Sequence, residues 1–467
     1  MIFFNNAISF LNGFLNNYIL VALLLFTGIY FSIRTNFVQL RYIRHMIELL
    51  TDSVGEKKGV SSFKAFCMST ASRVGTGNLA GVAIAISVGG PGSIFWMWVV
   101  ALLGGASSFV ESTLAQIYKV KDGEAFRGGP AYYMERALNM KYMGIFFSIL
   151  ITITFGLIFN SVQSNTISLA FEEAFQFNRL IVGSILAIFT AIIIFGGVQR
   201  IANFSAVVVP IMATFYILVS LFVIIKNIEM IPQIFSDIFS NAFSIKPAIG
   251  GTFGAVISTG VKRGLFSNEA GMGSAPNAAA SAHTSHPAKQ GLVQTLGVFT
   301  DTIIICSCTA FMILISKVHT TPNLNGIQLT QNALTSQVGS WGSIFIAICI
   351  LLFAFSSIIG NYYYGETNIE FLSTNKLWLN LYRGFVIGMV FFGSIAEMKF
   401  IWNTADLFMA LMTILNIIAI LLLGKVAFSA LADYDRQKKQ GLDPTFSKNN
   451  IDLPNPQNVQ CWDDDLN

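Results

Sequence analysis

The amino-acid sequence predicts an all-α integral membrane protein with about eleven transmembrane helices. Two features of composition support this prediction: 54% of the 467 residues are hydrophobic, and only 11% are charged. A soluble domain carries about 25% charged residues, so this chain has too few charges to cover a surface that faces water. The mean hydropathy of +0.64 agrees with that conclusion. We therefore expect the chain to be surrounded by a lipid bilayer.

The apolar segments are judged by length, because a spanning helix needs about 20 mostly apolar residues. Candidate segments lie near residues 15–34, 63–88, 93–119, 143–169, 179–196, 201–226, 250–285, 289–316, 341–367, 377–395 and 401–428. The stretch 229–246 repeats apolar residues at helical spacing but is polar between them. It is expected to form a helix that lies along the outer surface rather than one that spans the membrane.

The second and the seventh of these segments are interrupted by glycine and by charge. The second carries Arg73 and the run Gly75-Thr-Gly-Asn78, and the seventh carries the run Lys262-Arg-Gly-Leu-Phe-Ser-Asn-Glu-Ala-Gly-Met-Gly-Ser-Ala-Pro276. Unwound backbone at membrane depth is tolerated only where protein or a water-filled cavity surrounds it. A pair of glycine-interrupted segments at corresponding places in two halves indicates a transporter site between inverted repeats.

These interruptions also divide the chain. Residues 1–62 are predicted to form an extra first transmembrane helix and a cytoplasmic loop, and residues 63–428 a transporter core. The core would consist of two inverted repeats, at about 63–226 and 250–428. Residues 429–467 are polar and are predicted to be a cytoplasmic tail that is partly disordered.

Orientation follows from the basic residues. Most of the 28 Lys and Arg residues fall in loops on one side of the membrane, and that side is cytoplasmic if the N-terminus lies outside. The positive-inside rule therefore predicts a multi-pass cell-membrane protein with an external N-terminus and a cytoplasmic C-terminus.

Several classes of protein are disfavoured. The basic residues form no patch or run, which argues against a nucleic-acid partner. The five cysteines show no metal-binding spacing, and the four histidines lie in loops or at helix ends without a His-Glu-x-x-His motif. No nucleophile–base pair is apparent, so we expect no enzyme activity. No selectivity-filter sequence of a channel is visible either.

The first interruption is a candidate site for the substrate. Broken helix ends offer free N–H groups to a carboxylate and free carbonyl groups to a cation. The alternative is a close-packing seam, since Gly77 and Gly81 form a small-xxx-small pair. The substrate-binding candidates are the four residues of this run and the polar or aromatic residues near the breaks: Gly75, Thr76, Gly77, Asn78, Gln163, Phe266, Ser267 and Asn268.

Some of the polar residues have structural alternatives. Gln163 belongs to a group with Asn160, Ser164 and Asn165, which could face a cavity or could clamp two helices together. Glu269 is expected to neutralise Arg263 or Arg73 inside the membrane rather than to contact the substrate.

A cation site is indicated in the segment 341–367. Ser356 and Ser357 supply adjacent hydroxyl groups, and a hard cation prefers oxygen ligands. The alternative is that each hydroxyl bonds the backbone of its own helix one turn earlier.

Taken together, these stretches resemble the alanine or glycine:cation symporter family. The matching runs are Arg73-Val-Gly-Thr-Gly-Asn-Leu-Ala-Gly81, Gly89-Gly-Pro-Gly-Ser-Ile-Phe-Trp-Met-Trp98, Phe126-Arg-Gly-Gly-Pro-Ala-Tyr-Tyr133, Lys262 to Pro276, and Phe353 to Glu366. The resemblance implies the five-plus-five inverted-repeat fold of the bacterial leucine transporter, with one extra N-terminal helix. It also implies that substrate and sodium bind at the broken core helices.

The resemblance assigns residues to the two ligands. Sodium would be held by the residues Ala71, Val74, Phe353, Ser356 and Ser357. Gln163 and Phe266 match positions that line the amino-acid pocket. Many relatives have Trp where this chain has Asn361, and relatives with Asn there include some linked to glutamine. Asn361 is therefore expected to bind the substrate and to permit a larger one.

The predicted function is sodium-coupled import of small neutral amino acids, namely alanine, glycine and also glutamine, by a monomer in the lipid bilayer. The co-transported sodium ion is the only cofactor expected. A proton-coupled amino-acid transporter is the main alternative, since Glu111, Glu269, Asp301 and Asp406 are membrane-embedded acids. An ion channel is the other alternative.

Overall fold

The computed structural model describes residues 11–51, 60–123, 125–244, 253–321 and 324–462, and most of these residues are helical. Two antiparallel strands, β1 (Val120–Asp122) and β2 (Ala125–Arg127), form a hairpin in which Val120 pairs with Arg127.

The helices follow one another with short connections. In the first half of the chain they are α1 (Leu11–Arg34), α2 (Ser62–Arg73), α3 (Gly77–Gly89), α4 (Gly92–Ile117), α5 (Pro130–Arg136), α6 (Lys141–Phe175), α7 (Arg179–Ile194), α8 (Gly197–Lys226) and α9 (Ile231–Ala242). In the second half they are α10 (Phe253–Asn268), α11 (Ala275–Ser281), α12 (Pro287–Ser316), α13 (Gly326–Val338), α14 (Trp341–Leu372), α15 (Lys376–Ile395) and α16 (Met398–Lys439). Two short helices, Val38–Arg41 and Ile43–Glu48, follow α1.

Within the described ranges, eight helices are long and apolar enough to cross a membrane: α1, α4, α6, α8, α12, α14, α15 and α16. They correspond to eight of the segments predicted from the sequence. The remaining three segments are the single helix α7, which has 16 residues, and the interrupted pairs α2–α3 and α10–α11. The two interruptions therefore fall where glycine and charge predicted them, and they turn two long apolar segments into half-length helices.

Helix α4 forms the centre of one side of the bundle, where it lies against α1, α10 and α12. Two glycines of α10 make the approach to α4 possible. A Cβ at Gly260 would overlap the backbone carbonyl of Ser93, and a Cβ at Gly264 would overlap the side chain of Val100. Small residues at such contacts let membrane helices approach closely. On the other side, α14 lies against α6, α8 and α2.

Helix α9 is the segment that the sequence predicts to lie along a surface. It has only 12 residues, which is too short to span a bilayer. Ile234 and Ile238 are buried on its inner face, which packs on α4. Phe235 and Phe239 are exposed at 39% and 49%, and Phe239 stacks edge-on against Phe95 of α4.

The C-terminal segment differs from the sequence prediction of a partly disordered tail. Helix α16 continues to Lys439, and residues 440–462 then fold back along the end of the bundle. Phe446, Leu453, Val459 and Trp462 are buried there, with at most 8% of each side chain exposed. Four apolar side chains spaced along a polar sequence give too weak a periodic signal for the docking to be predicted.

Candidate functional site

The first interruption separates α2 from α3 through an extended residue, Val74, with φ −78° and ψ 93°. In a continuing helix the amide of Gly75 would bond the carbonyl of Ala71. Here it donates instead to Asn78 Oδ1 at 2.9 Å. Asn78 therefore stabilises the break, and the carbonyl of Ala71 loses its helical donor, as occurs at a helix C-terminus.

Gly75 lies where three elements approach one another. A Cβ at this position would overlap Ser357 Oγ of α14 and would stand 2.8 Å from Gln163 Oε1 of α6. Gln163 Oε1 accepts hydrogen bonds from the backbone amide of Thr76 at 2.9 Å and from its hydroxyl at 2.7 Å. The structure thus brings Gly75, Thr76 and Gln163 together, and a larger residue at position 75 would displace Ser357 Oγ or Gln163 Oε1.

The oxygens predicted to bind sodium include Ser357 Oγ, which lies beside the same point of Gly75 as Gln163 Oε1. Ser357 Oγ lies 3.3 Å from the carbonyl oxygen of Val74 and 3.0 Å from that of Phe353. Ser356 Oγ donates to the same Phe353 carbonyl at 2.8 Å. The hydroxyls therefore bond their own helix, but Ser357 also reaches the break. Together with the carbonyl of Ala71, this set contains only oxygen atoms, the donors that a hard cation such as sodium prefers.

The second interruption separates α10 from α11 and uses three residues in the left-handed region. Their φ angles are +58° at Glu269, +83° at Gly271 and +86° at Gly273. The glycines are required because residues with a Cβ rarely adopt such angles. Asn268 begins the break: its Oδ1 accepts from the amide of Ala270 at 3.0 Å. Its Nδ2 has no hydrogen-bond partner in the described part of the chain.

Glu111 of α4 holds this second break in shape. Its two carboxylate oxygens accept from the amides of Gly271 and Gly273, each at 3.1 Å. Asn416 of α16 donates to the same carboxylate at 2.8 Å and to the carbonyl of Gly271 at 2.9 Å. Glu111 is fully buried, so the carboxylate replaces the helical acceptors that the break has removed. The sequence identified Glu111 as a buried acid but not in this role.

A second buried acid, Asp301 of α12, joins the two interrupted helices. It accepts from Asn78 Nδ2 of α3 at 2.7 Å and from Ser267 Oγ of α10 at 2.7 Å. Thr302 also donates to it, at 2.8 Å. Asn78 and Ser267 were both predicted as substrate-binding residues, and in the structure both are bonded to this carboxylate.

Phe266 packs against both the first break and an aromatic cluster. A Cβ at Gly77 would lie 3.2 Å from the Phe266 ring, so the two interrupted helices touch here. The ring centroid of Phe266 lies 4.7 Å from that of Phe159 and 4.7 Å from that of Trp402. These three rings form a layer over the α3 side of the first break.

An ion pair covers this aromatic layer one turn earlier in α10. Arg263 donates to both carboxylate oxygens of Asp406, and its guanidinium lies 4.6 Å from the centre of the Trp402 ring. Lys262 joins the same carboxylate at 3.1 Å. An open cleft of about 400 Å³ borders the pair and also reaches Asn325. The aromatic layer thus lies over the first break, the ion pair covers the aromatic layer, and the cleft borders the ion pair.

The sequence suggested two basic partners for Glu269, and the prediction is wrong for Arg263, which pairs with Asp406. Arg73 lies beyond ion-pair distance among the described residues, but its positive charge acts on the Glu269 carboxylate. Glu269 accepts from Ser72 Oγ at 2.8 Å and from Ser274 Oγ at 2.6 Å. It therefore ties the end of α2 to the start of α11.

Asn361 contacts Ser72, at the end of α2, rather than Gln163 or Phe266. Its Oδ1 lies 2.7 Å from Ser72 Oγ, which has only one proton to donate and also faces Glu269. Asn361 Nδ2 has no partner in the described part of the chain. Rotating the amide by 180° lets Nδ2 donate to Ser72 while Ser72 donates to Glu269, so two acceptors no longer share the single Ser72 proton.

One of the other polar residues of α6 clamps two helices together. Asn165 Nδ2 donates to the carbonyls of Gly393 and Ala396 at 2.8 and 2.9 Å. The clamp that the sequence offered as the alternative therefore applies to Asn165. Asn160 bonds a carbonyl of its own helix, and Gln163 is the member of this group that reaches the first break.

Long apolar helices around two interrupted ones, with amides, hydroxyls and carbonyls gathered at the interruptions, define a multi-pass membrane transport protein. The model of the sodium:alanine symporter family matches residues 1–448. This chain belongs to that family.

Two relatives from Bacillus subtilis (strain 168) and one solved structure illustrate the similarity. The amino-acid carrier protein AlsT is 54% identical over 463 residues, which is 99% of this chain and 98% of AlsT. The probable sodium/glutamine symporter GlnT is 56% identical over 459 residues, with 98% and 96% covered. The crystal structure of MhsT in complex with L-phenylalanine has a TM-score of 0.56 at 14% identity and covers 84% of this chain and 94% of MhsT. The last comparison concerns the fold alone.

Proposed function

We propose that this protein is a sodium-coupled secondary symporter that imports small neutral amino acids: alanine, glycine and also glutamine. The observation that carries the proposal is the convergence at Gly75. Ser357, which belongs to a set of oxygens suited to sodium, and Gln163, which holds the amide and hydroxyl of Thr76, both lie beside this residue. The relatives AlsT, an amino-acid carrier protein, and GlnT, a probable sodium/glutamine symporter, support amino acids as the cargo.

Sodium, as cargo, would bind between α2 and α14. Its ligands would be the carbonyls of Ala71, Val74 and Phe353 and the hydroxyls of Ser356 and Ser357. The carboxylate of the amino acid would bind at the residues Gly75 to Asn78. It would accept hydrogen bonds from the Thr76 groups that now bond Gln163, because a carboxylate is a stronger acceptor than a carboxamide. Gln163 would then be free to accept from the ammonium group.

The remaining predicted residues would close the pocket. Phe266 would cover the ligand from the side of the aromatic layer, while Ser267 and Asn268 would border it from the second break. Asn361 would set the size limit through its contact with Ser72. Glutamine is accepted on this proposal because Asn leaves space that the larger Trp of many relatives would fill.

The architecture that supports this mechanism has eleven membrane crossings, two inverted repeats of five helices and one extra N-terminal helix. The N-terminus would lie outside and the C-terminus in the cytoplasm, and the transporter would be a monomer. The two interruptions support the repeats, since each follows the same pattern of a half-helix, an irregular stretch of three to six residues and a second half-helix.

The central test is uptake of labelled alanine, glycine and glutamine into proteoliposomes, with sodium or choline outside at fixed pH. We expect uptake with sodium and none with choline. Ser357→Ala should lower the apparent sodium affinity much more than the amino-acid affinity at saturating sodium, because it removes one of few oxygen ligands. Ser184→Ala is the matched control, since Ser184 is half-buried on α7 and its hydroxyl bonds the Leu180 carbonyl of its own helix. Equal sodium dependence in the two variants would contradict the sodium site.

Proton coupling is the alternative, and the contacts of the four buried acids distinguish which of them could carry a proton. Asp406 is engaged by Arg263 and Lys262, and Glu111 accepts from two backbone amides and Asn416. Within the described ranges, the side chains that hydrogen-bond Glu269 and Asp301 are all neutral. Uptake that persists in choline and follows an imposed pH gradient, and that Glu269→Gln or Asp301→Asn abolishes, would favour protons over sodium.

A further inference from the structure

The end of the bundle on which the C-terminal segment lies is closed by contacts between interrupted helices and α4. We call it the tail-side face. Val60, two residues before α2, pairs with the strand-like stretch at the end of α11: Val60 N donates to Ser281 O at 3.2 Å, and His283 N donates to Val60 O at 2.9 Å. This bridge joins the tail-side halves of both interrupted helices.

The last turn of α4 bonds the same stretch. Gln116 Nε2 donates to the carbonyl of Ala282 at 3.0 Å, and Lys119 Nζ donates to that carbonyl at 2.9 Å and to Gln116 Oε1 at 2.8 Å. Any opening of the bundle at this face requires the stretch after α11 to separate from either α2 or α4, because these contacts occupy the seam between them.

The C-terminal segment lies across this seam and is bonded on both of its sides. On the α11–α12 side, Phe446 N donates to Ser285 O at 2.9 Å. On the α4 side, Trp462 Nε1 donates to Gln116 O at 2.9 Å and Tyr118 OH donates to Pro454 O at 3.0 Å.

Its two aromatic anchors meet over the seam. The rings of Phe446 and Trp462 lie edge to face at 5.2 Å, and both side chains are buried. Lys119 Nζ lies 4.9 Å from the centre of the Trp462 ring and 4.2 Å from that of Phe126 in β2. Undocking would expose two large rings that are buried against the bundle, so it is a costly step.

We propose that residues 443–462 form a latch that holds the tail-side face closed and sets how often it opens. The latch spans the seam, so the face can open only when the segment releases α4 or the α11–α12 side. This inference rests on the proposed transport function, in which the tail-side face opens to the cytoplasm to release amino acid and sodium. It assigns the C-terminal segment a role in the transport cycle that the binding site does not require.

The test measures opening directly. Ala282→Cys is placed in the full-length protein, and its rate of modification by a water-soluble maleimide is read by peptide mass spectrometry. The native Cys349 of α14 is read in the same sample as an internal reference. Trp462→Ala should speed modification about tenfold, the factor that corresponds to about 1.4 kcal/mol. Trp462→Phe keeps an aromatic ring but loses the N–H donor and the five-membered part of the indole, and should give a smaller increase. Trp378→Ala, on the exposed start of α15, is the matched control and should give no increase.

Two further measurements distinguish the loss of the latch from a folding defect. Thermal unfolding should place Trp462→Ala close to the control, and the amino-acid exchange rate in proteoliposomes should change in Trp462→Ala but not in Trp378→Ala. Equal modification and exchange rates in these two variants would overturn the latch while leaving sodium-coupled uptake intact. Absence of sodium-dependent uptake in the unsubstituted protein would instead overturn the proposed function, so the two failures are distinguishable.

Discussion

Replacing Glu111 with Gln tests the claim that one carboxylate maintains the second break. The carboxylate accepts three hydrogen bonds, from the amides of Gly271 and Gly273 and from Asn416. Gln has one acceptor oxygen and one NH₂ group. In the best orientation its oxygen keeps two donors, and its NH₂ then faces the third, which is a backbone amide. A buried donor left without an acceptor costs about 1–3 kcal/mol, and the two retained bonds lose the strength that a charged acceptor gives.

We therefore expect Glu111→Gln to lower the free energy of unfolding by about 2–4 kcal/mol. The assay is thermal unfolding of the purified protein in detergent, combined with sodium-dependent uptake. Glu229→Gln is the control, because Glu229 is exposed in the turn before α9. Thermal midpoints that are equal in the two variants, with uptake retained in both, would refute the reasoning that the break depends on this carboxylate.

Three further outcomes are expected. Asn361→Trp should abolish competition by glutamine against labelled alanine and spare glycine, whereas unchanged competition would show that Asn361 does not limit size. Arg263→Gln should leave Asp406 without its closest buried partner and reduce uptake strongly, and Arg44→Gln, an exposed arginine, should not. Burial lowers the pKa of Lys119 from its ordinary 10.5 to about 7. The docked latch then binds fewer protons than the released one between these values, so docking strengthens as pH rises. Tryptic cleavage of the latch should be up to about tenfold slower at pH 8 than at pH 6, and Lys119→Met should remove the difference.

The two interruptions could be predicted because their cause is local. Glycine, charge and amide side chains at membrane depth are visible in any apolar segment, and both breaks lie inside the runs that the sequence indicated. Gln163 was also found, since an uncharged amide in an otherwise apolar helix is rare enough to be noticed. The structure then separates it from Asn165 by helix rotation, which decides which side chain faces α2 and which faces α15.

The contacts between distant segments could not be predicted in the same way. Asp301 and Asn78 are 223 positions apart, and Glu111 and Asn416 are 305 positions apart. Nothing in a single sequence relates two such positions until the helices are packed. Asn361 shows the same limit: it is four residues from Ser357 and shares its helix face. The neighbour along that face is the end of α2 and not the break itself, so Asn361 meets Ser72.

The close approach at Gly75 has an energetic consequence for the proposed transport cycle. The Val74 carbonyl and the Thr76 amide belong to consecutive peptide units, so the cation and the amino-acid carboxylate would be bound by adjoining atoms of one short stretch of backbone. Whatever factor sodium contributes to amino-acid affinity, the amino acid must contribute the same factor to sodium affinity. Such couplings are typically 5–150-fold, or about 1–3 kcal/mol. Each solute would thus bind weakly when the other is absent and tightly when the other is present. An empty site for one solute would therefore limit the leak of the other across the membrane.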